Sequence, residues 1–394
     1  MITAEQLAQR MAGIEPIGRA PDGATTRLAW TREDAAARAW FAQQAQGAGL
    51  TVQRDPAGNL WATPAAPGPW WAVGSHLDSV RDGGRYDGAL GVAAAFAVAA
   101  GSAHPVAVIS FADEEGARFN TPTFGSRALT GALDVADALA RVDQDGVSLR
   151  DALRDDGVDP DGLVRAPAWL DRLRGFVELH IDQTRDLAVA GVAAGPVARL
   201  AARTRLQLRL DGQADHAGTT PRDDRRDALM AAARIVVAGD DAARQRPEMR
   251  FTPARIEVDP NVATTIARQV RLWVDARAPE PIQLQTWVDA FSLEAARVAA
   301  AHRVRLDLRT ASFSPGTTFD QAVFDGLARH LPAAAPGLVC FAGHDAGIVA
   351  AARPAGMAFV RNHDGISHAP QEDVSLQDAA TGADAIRAFM EDQA

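Results

Sequence analysis

Short apolar runs alternate with helix-length segments along the first 200 or so residues, the pattern of an open α/β sheet. Thr51–Val52, Leu60–Ala62 and Trp70–Val73 read as short strands broken by Asp-Pro and Pro-Gly turns. Val106–Phe111 reads as a buried strand and Gly175–Leu179 as another apolar one. Arg32–Ala48 predicts a helix stopped by Gly47 and Gly49, and Gly88–Ala100 a second helix behind a glycine-rich loop. Between Arg203 and Thr310 the texture changes. Thr204–Leu210 alternates polar and apolar, Asp227–Ala238 is helical, and strands follow near Arg255–Val258 and Val270–Asp275. A helix at Pro281–Ala300 and a strand at Val304–Leu308 complete a β-α-β-β-α-β order, which predicts a ferredoxin-like α+β insertion over 203–311. The α/β texture then returns, with a helix near Gln321–His330, a strand at Met357–Val360 and a last helix near Leu376–Glu391. One α/β domain, 1–202 and 312–394, is therefore expected to carry the insertion.

At about 150 residues per domain, a chain of 394 residues has room for this arrangement. Forty basic against fifty acidic residues give a net charge of −10, so no basic stripe is available and neither nucleic acid nor an anionic membrane is an expected partner. The chain has no Lys, which excludes Schiff-base chemistry and a lysine-bridged metal pair. Its single cysteine, Cys340, rules out an intrachain disulfide and a thiolate zinc cluster, and a reducing, cytoplasmic compartment is expected. Met1–Met11 carries an early acid and lacks the apolar core of a signal peptide. The longest apolar stretch, Ala89–Ala100, falls far short of the about 18 residues that a membrane helix needs.

Polar residues recur where apolar strands end, the place where open α/β sheets bind ligands. His76 and Asp78 are two apart at a strand end and so share a face, which suits an imidazole ligand beside a carboxylate that orients it. Asp87 lies between glycines at a helix start, where it serves equally well as a plain N-cap. Asp113-Glu114-Glu115 follows a buried strand, and adjacent acids there need cations or solvent. His180 ends another strand, and His368 sits in Gly365-Ile366-Ser367-His368. Each signal alone has an ordinary structural explanation. Together, His76, Asp87, Glu115, His180 and His368 supply two imidazole-and-carboxylate sets that share one bridging acid, which points to a two-metal hydrolase.

Five strings carry a family likeness: Gly74-Ser75-His76-Leu77-Asp78-Ser79-Val80 through Asp87-Gly88, Glu114-Glu115-Gly116-Ala117-Arg118-Phe119, Glu178-Leu179-His180-Ile181-Asp182-Gln183, His216-Ala217-Gly218-Thr219-Thr220-Pro221, and Gly365-Ile366-Ser367-His368. In order and over most of the chain they resemble the M20-type amidohydrolases, above all the branch of N-carbamoyl-L-amino-acid hydrolases, allantoate amidohydrolases and β-ureidopropionases. The resemblance implies a Zn-peptidase-like catalytic domain whose insertion acts as lid and dimerisation domain. It implies two divalent ions, Zn, Mn, Co or Ni, one held by His76, Asp87 and His180 and the other by Asp87, Glu115 and His368. Glu114 would then be the general base toward a metal-bridging water, Asp78 would orient His76, and His216 would stabilise the oxyanion, typically at a neighbouring subunit's site, so that a homodimer is expected. Arg277 corresponds to the arginine that clamps the substrate carboxylate, and Gln183 and Gly365 match further substrate contacts. His344, in Gly343-His344-Asp345-Ala346, is expected to be structural or to support the ligands.

Three departures from the branch stand out. Thr264-Thr265-Ile266-Ala267-Arg268 replaces an Asn-Val-Ile-Pro-Gly string, so Thr264 keeps a hydroxyl where a paired amide donor and acceptor is usual. Asp182-Gln183-Thr184 stands for Glu-Gln-Gly, and Arg222 for a frequent Met. The expected reaction is hydrolysis of a linear amide C–N bond in a carboxylate-bearing small molecule, first of all an N-carbamoyl-L-amino acid. Allantoate or another ureido acid is the alternative, then an N-acyl amino acid or peptide.

Overall fold

In the computed structural model, which describes residues 1–333, 335 and 337–393, four parallel strands form the centre of a mixed sheet. They lie in the order Val106–Phe111, Trp70–His76, Leu173–Ile181 and Ala355–Val360. Nearly every residue in them is buried, as a sheet covered on both faces requires. Leu60–Thr63 and then Thr51–Arg54 extend one side in antiparallel fashion. On the other side Ala194–Leu200 runs antiparallel to Ala355–Val360. That strand was not anticipated, because Gly195 and Pro196 lie inside it.

The helices Ala4–Ile14, Arg32–Gly47, Ala89–Gly101 and Leu376–Glu391 share one apolar cluster with the sheet. Ala89–Gly101 is buried over almost its whole length and lies so close to the sheet that a Cβ on Gly91 would sit 2.3 Å from the Leu179 carbonyl oxygen. Helix propensity alone favours Ala over Gly by about 1 kcal/mol. Here the overlap with main chain reverses the sign, since overpacking costs about 1–3 kcal/mol. Gly91→Ala is therefore expected to lower the thermal unfolding temperature, and an unchanged or raised temperature would contradict the close approach. A separate cluster gathers Phe124, Leu149, Leu153 and Leu163 from short helices and a 3-10 run, Pro160–Arg172, between the second and third parallel strands.

By its contacts the chain divides into two compact units, Met1–Ala198 with Thr318–Leu338 and Gly343–Ala394, and Arg199–Thr317 with Val339–Ala342. The smaller unit is a four-stranded antiparallel sheet in the order Arg305–Ser314, Ala202–Asp211, Gln269–Ala278, Arg250–Asp259. Leu206, Leu208, Leu210, Val270, Leu272 and Val274 point to one face and pack with the helices Ala228–Arg244 and Pro281–Ala301. Strand alternation sends the odd-numbered residues of Ala202–Asp211 and Gln269–Ala278 to the opposite face. The helix at 228 runs past the expected end at Ala238, and the strand at 250 starts before the expected Arg255. Among the described residues no helix is long and apolar enough to cross a membrane.

Candidate active site

The C-terminal ends of the parallel strands deliver the ligand candidates. His76 is the last residue of one strand, Glu114 and Glu115 follow the end of its neighbour, and His180 sits one residue from the end of the third. The loop after Ala355–Val360 carries His368. Asp87 lies at the start of Ala89–Gly101, but the N-cap is Gly88, and no side chain caps that helix. The Asp87 carboxylate faces imidazoles instead: Oδ1 is 2.9 Å from His180 Nε2 and 3.5 Å from His76 Nε2, and Oδ2 is 3.2 Å from His368 Nε2. His368 Nε2 is also 3.4 Å from Glu115 Oε1. Gly88 makes this approach possible, since a Cβ there would lie 2.4 Å from the His76 ring and its φ of 65° favours glycine.

Both triads named from the sequence are thus brought together. His76, Asp87 and His180 present ligand atoms within 4.8 Å of one another, as do Asp87, Glu115 and His368, so the two sets share Asp87. The arrangement is a candidate dinuclear metal-binding site. Its residues fit divalent cations on two grounds. Glu115 Oε1 and His180 Nε2 are buried yet have no hydrogen-bond partner among the described residues. The donors are all imidazole or carboxylate, which suits Zn, Mn, Co and Ni alike.

The far ring nitrogens are anchored by main chain: His76 Nδ1 to the Asp78 carbonyl oxygen at 3.0 Å, and His180 Nδ1 to the Ile181 carbonyl oxygen at 3.1 Å. These contacts leave Nε2 of each ring to face the cluster. The Asp78 carboxylate stands 3.7 Å from His76 Nδ1 and has a second part beside it. Its two oxygens accept the N–H groups of Glu114 and Glu115, each at 3.1 Å, and so fix the turn that carries both glutamates. Glu114 Oε2 lies 3.9 Å from His76 Nε2. Glu114 is buried, and among the described residues its carboxylate makes no hydrogen bond. Burial, partly offset by His76, raises the Glu114 pKa well above the ordinary glutamate range.

Burial works against ionisation of Asp87 as well, yet the charge of His180, with His368 and His76 close by, holds its pKa well below normal. Glu115 is pushed up to about 7 by burial and then by Asp87, while the hydrogen bond to Asp87 lifts His368 to about 9. The sequence reading missed Glu372. Its Oε1 accepts the N–H groups of Tyr86 and Asp87 at 2.9 and 3.0 Å, and Oε2 accepts the Ser367 hydroxyl at 3.2 Å. Gly84 makes room for it, since a Cβ there would be 2.1 Å from the carboxyl carbon. The available signal was an acid four residues after His368.

Gln183 reaches the same corner, with Nε2 3.4 Å from Asp87 Oδ2 and 3.3 Å from the Ser367 hydroxyl. Gly365 has φ 67° and donates its N–H to Asn362, so it shapes the His368 loop. His344 is buried against His180, with ring centroids 4.3 Å apart, and neither of its nitrogens has a hydrogen-bond partner among the described residues.

His216, Thr264 and Arg277 belong to the smaller unit. His216 Nδ1 accepts the N–H groups of Gly218 and Thr219 at 3.0 and 3.1 Å, so a neutral ring carries its proton on Nε2. Arg225 clamps this loop, donating to the Ala217 and Thr220 carbonyl oxygens at 2.7 and 3.0 Å. Thr264 is exposed, and its own carbonyl oxygen receives the Ala217 N–H. Arg277 pairs with Asp275 at 2.7 Å and donates to the Phe341 carbonyl oxygen.

Residues 72–392 match the model of peptidase family M20/M25/M40. The chain belongs to that family. Within it, this M20 chain is 35% identical over 400 residues to an N-carbamoyl-L-amino acid amidohydrolase of Geobacillus stearothermophilus, covering 98% of this chain and 97% of the relative. It is 31% identical over 396 residues to an allantoate amidohydrolase of Bacillus subtilis, covering 94% and 92%. A solved hydantoinase/carbamoylase family amidase from Burkholderia ambifaria superposes with a TM-score of 0.88 at 34% identity, covering 100% of this chain and 98% of that one. The M20 chain is thus a metal-dependent amidohydrolase of the hydantoinase/carbamoylase branch, a hydrolase of non-peptide amide or amidine C–N bonds.

Proposed function

We propose that the enzyme hydrolyses N-carbamoyl-L-amino acids to the L-amino acid, carbon dioxide and ammonia. The pair of triads sharing Asp87, with the Glu114 carboxylate beside them, supports the hydrolytic chemistry, and the 35% likeness to an N-carbamoyl-L-amino acid amidohydrolase favours the carbamoyl group. Divalent cations held by those triads would supply Lewis-acid polarisation of the scissile carbonyl and a more acidic water. Glu114 takes the proton of the attacking water and delivers it to the leaving nitrogen. His216, protonated on Nε2, donates to the oxygen on which negative charge develops, and Arg277 binds the substrate carboxylate through its fork of N–H groups. The smaller unit, with its strand order and two helices on one face, is read as a ferredoxin-like lid and dimerisation domain of a cytoplasmic homodimer.

The test strips the protein of metal, reloads it with Mn or Zn, and measures ammonia and free amino acid from N-carbamoyl-L-amino acids, allantoate, N-acetyl amino acids and dipeptides. Metal-dependent ammonia from the carbamoyl compounds is expected. Ammonia from allantoate alone, or amino acid from acyl or peptide substrates alone, overturns the carbamoyl assignment. His216→Ala is expected to lower kcat by about 100- to 1,000-fold with thermal unfolding unchanged. Full turnover in that variant removes His216 from the mechanism.

A further inference from the structure

Strand register sets three arginines in one row across the open face of the smaller sheet. Arg203 lies directly opposite Arg277, and Arg250 lies opposite Arg277 from the other side. Directly opposed residues of antiparallel strands have Cβ atoms about 4.5–5.5 Å apart, and like charges at such positions are destabilising. Two of the three arginines have partners that account for them. Arg277 is held by Asp275 and the Phe341 carbonyl oxygen. Arg250 donates to the carbonyl oxygens of Pro247 and Met249 at 3.2 and 3.3 Å, and its guanidinium lies 4.6 Å from the centre of the Phe341 ring.

Arg203 has no such anchor. It is half-buried, and among the described residues no carboxylate or carbonyl oxygen accepts a hydrogen bond from it. The carboxylate whose charge it does feel, Asp275, is already shared by Arg277 and by Arg205 at 3.3 Å. On its other side the register offers only the neutral Ser314. Three guanidiniums, Arg203, Arg205 and Arg277, therefore face one carboxylate, leaving two positive charges uncompensated on this patch. A guanidinium has five N–H donors in a fixed fork that matches a carboxylate edge. Burial, and then the charges of Arg205 and Arg277, pull the Arg203 pKa down, the environment that an anion would relieve.

We propose that Arg203 and Arg277 form a two-anion subsite, so that the preferred substrates are carbamoyl derivatives of acidic L-amino acids. Arg277 takes the α-carboxylate and Arg203 the carboxylate of an aspartate or glutamate side chain. The separation of the two carboxylates in such a molecule is on the order of the cross-strand spacing of the two arginines. The inference rests on the reading of Arg277 as the carboxylate clamp and adds to it the side chain that the substrate carries.

The experiment compares N-carbamoyl-L-aspartate and N-carbamoyl-L-glutamate with the asparagine and glutamine counterparts, which match them in shape and lack the charge. Wild type is expected to give the lower KM for the acidic pair. Arg203→Gln should raise the KM for the acidic pair by about 10- to 100-fold relative to its effect on the neutral pair, and Arg203→Glu should reverse the order of preference. Equal effects on the two pairs, or a wild-type preference for the neutral pair, overturn the subsite and leave the carbamoylase reading standing. A second readout does not depend on turnover: thermal shift with L-aspartate and L-glutamate against L-asparagine and L-glutamine. Stabilisation by the dicarboxylates that Arg203→Gln abolishes supports the subsite even where no carbamoyl compound is hydrolysed, in which case it is the carbamoylase reading that falls. Equal stabilisation by acids and amides overturns the subsite.

Discussion

Glu114→Gln is expected to lower kcat by about 100- to 10,000-fold, the range over which a positioned general base contributes. Metal content and thermal unfolding should stay as in wild type. The separation of these effects follows from geometry. The Glu114 main chain, not its carboxylate, is tied to Asp78 at 3.1 Å, so the turn keeps its shape when the side chain changes. The two triads that share Asp87 do not include Glu114, although Glu114 also stands with His76 and Glu115 as a third possible donor set, which is why metal content has to be measured beside turnover. Glutamine has nearly the same volume and cannot accept the proton. Metal analysis and a melting curve on the same preparation as the kinetics decide the point. Loss of metal together with activity would make Glu114 a ligand, and retained activity would remove it as the base.

Asp87→Ala is the second large effect, and it differs in kind. Asp87 is the one residue common to both triads, and its carboxylate faces His76, His180 and His368 at 3.5, 2.9 and 3.2 Å. Without it each set falls to two donors, and three imidazoles lose the charge that favours their approach. Purified protein is expected to hold less than one metal per chain, with activity below detection in the absence of added metal. Glu372→Gln gives a graded comparison. It keeps the shape of the group that receives the Tyr86 and Asp87 N–H bonds but loses its charge, so metal affinity should fall by about 10- to 100-fold. Two full metals in Asp87→Ala would show that the shared carboxylate does not bridge.

The ligand candidates were legible in the sequence because each follows an apolar strand, and strand ends are where a parallel sheet opens to ligands. The alternation in Thr204–Leu210 likewise announced a strand with one buried face. What could not be read depended on contacts between distant residues. The Asp78 carboxylate holds the main chain of Glu114 and Glu115, a part that its nearness in sequence to His76 does not reveal. Glu372 acts on Asp87 across most of the chain, and nothing local marks it beyond an acid near His368. Ala194–Leu200 contains Gly195 and Pro196, so its propensity argues against the strand that pairing imposes. The opposition of Arg203 and Arg277 exists only once the register of two strands distant in sequence, Ala202–Asp211 and Gln269–Ala278, is fixed.

The order in which the sheet can be completed matters during synthesis. Ala355–Val360 is inserted between Leu173–Ile181 and Ala194–Leu200, yet it leaves the ribosome only after the entire smaller unit. Until then two strands present unpaired edges, a state open to pairing with other chains. His76, Asp87 and His180 have all been synthesised by that stage, whereas His368 and Glu372 emerge last. The residues of the first triad therefore all precede the smaller unit in the chain, and the second triad is complete only when synthesis is nearly finished. A chain that stops short of residue 355 is left with half a metal centre and an open sheet, which marks it for aggregation or proteolysis before it can act as a partly loaded enzyme.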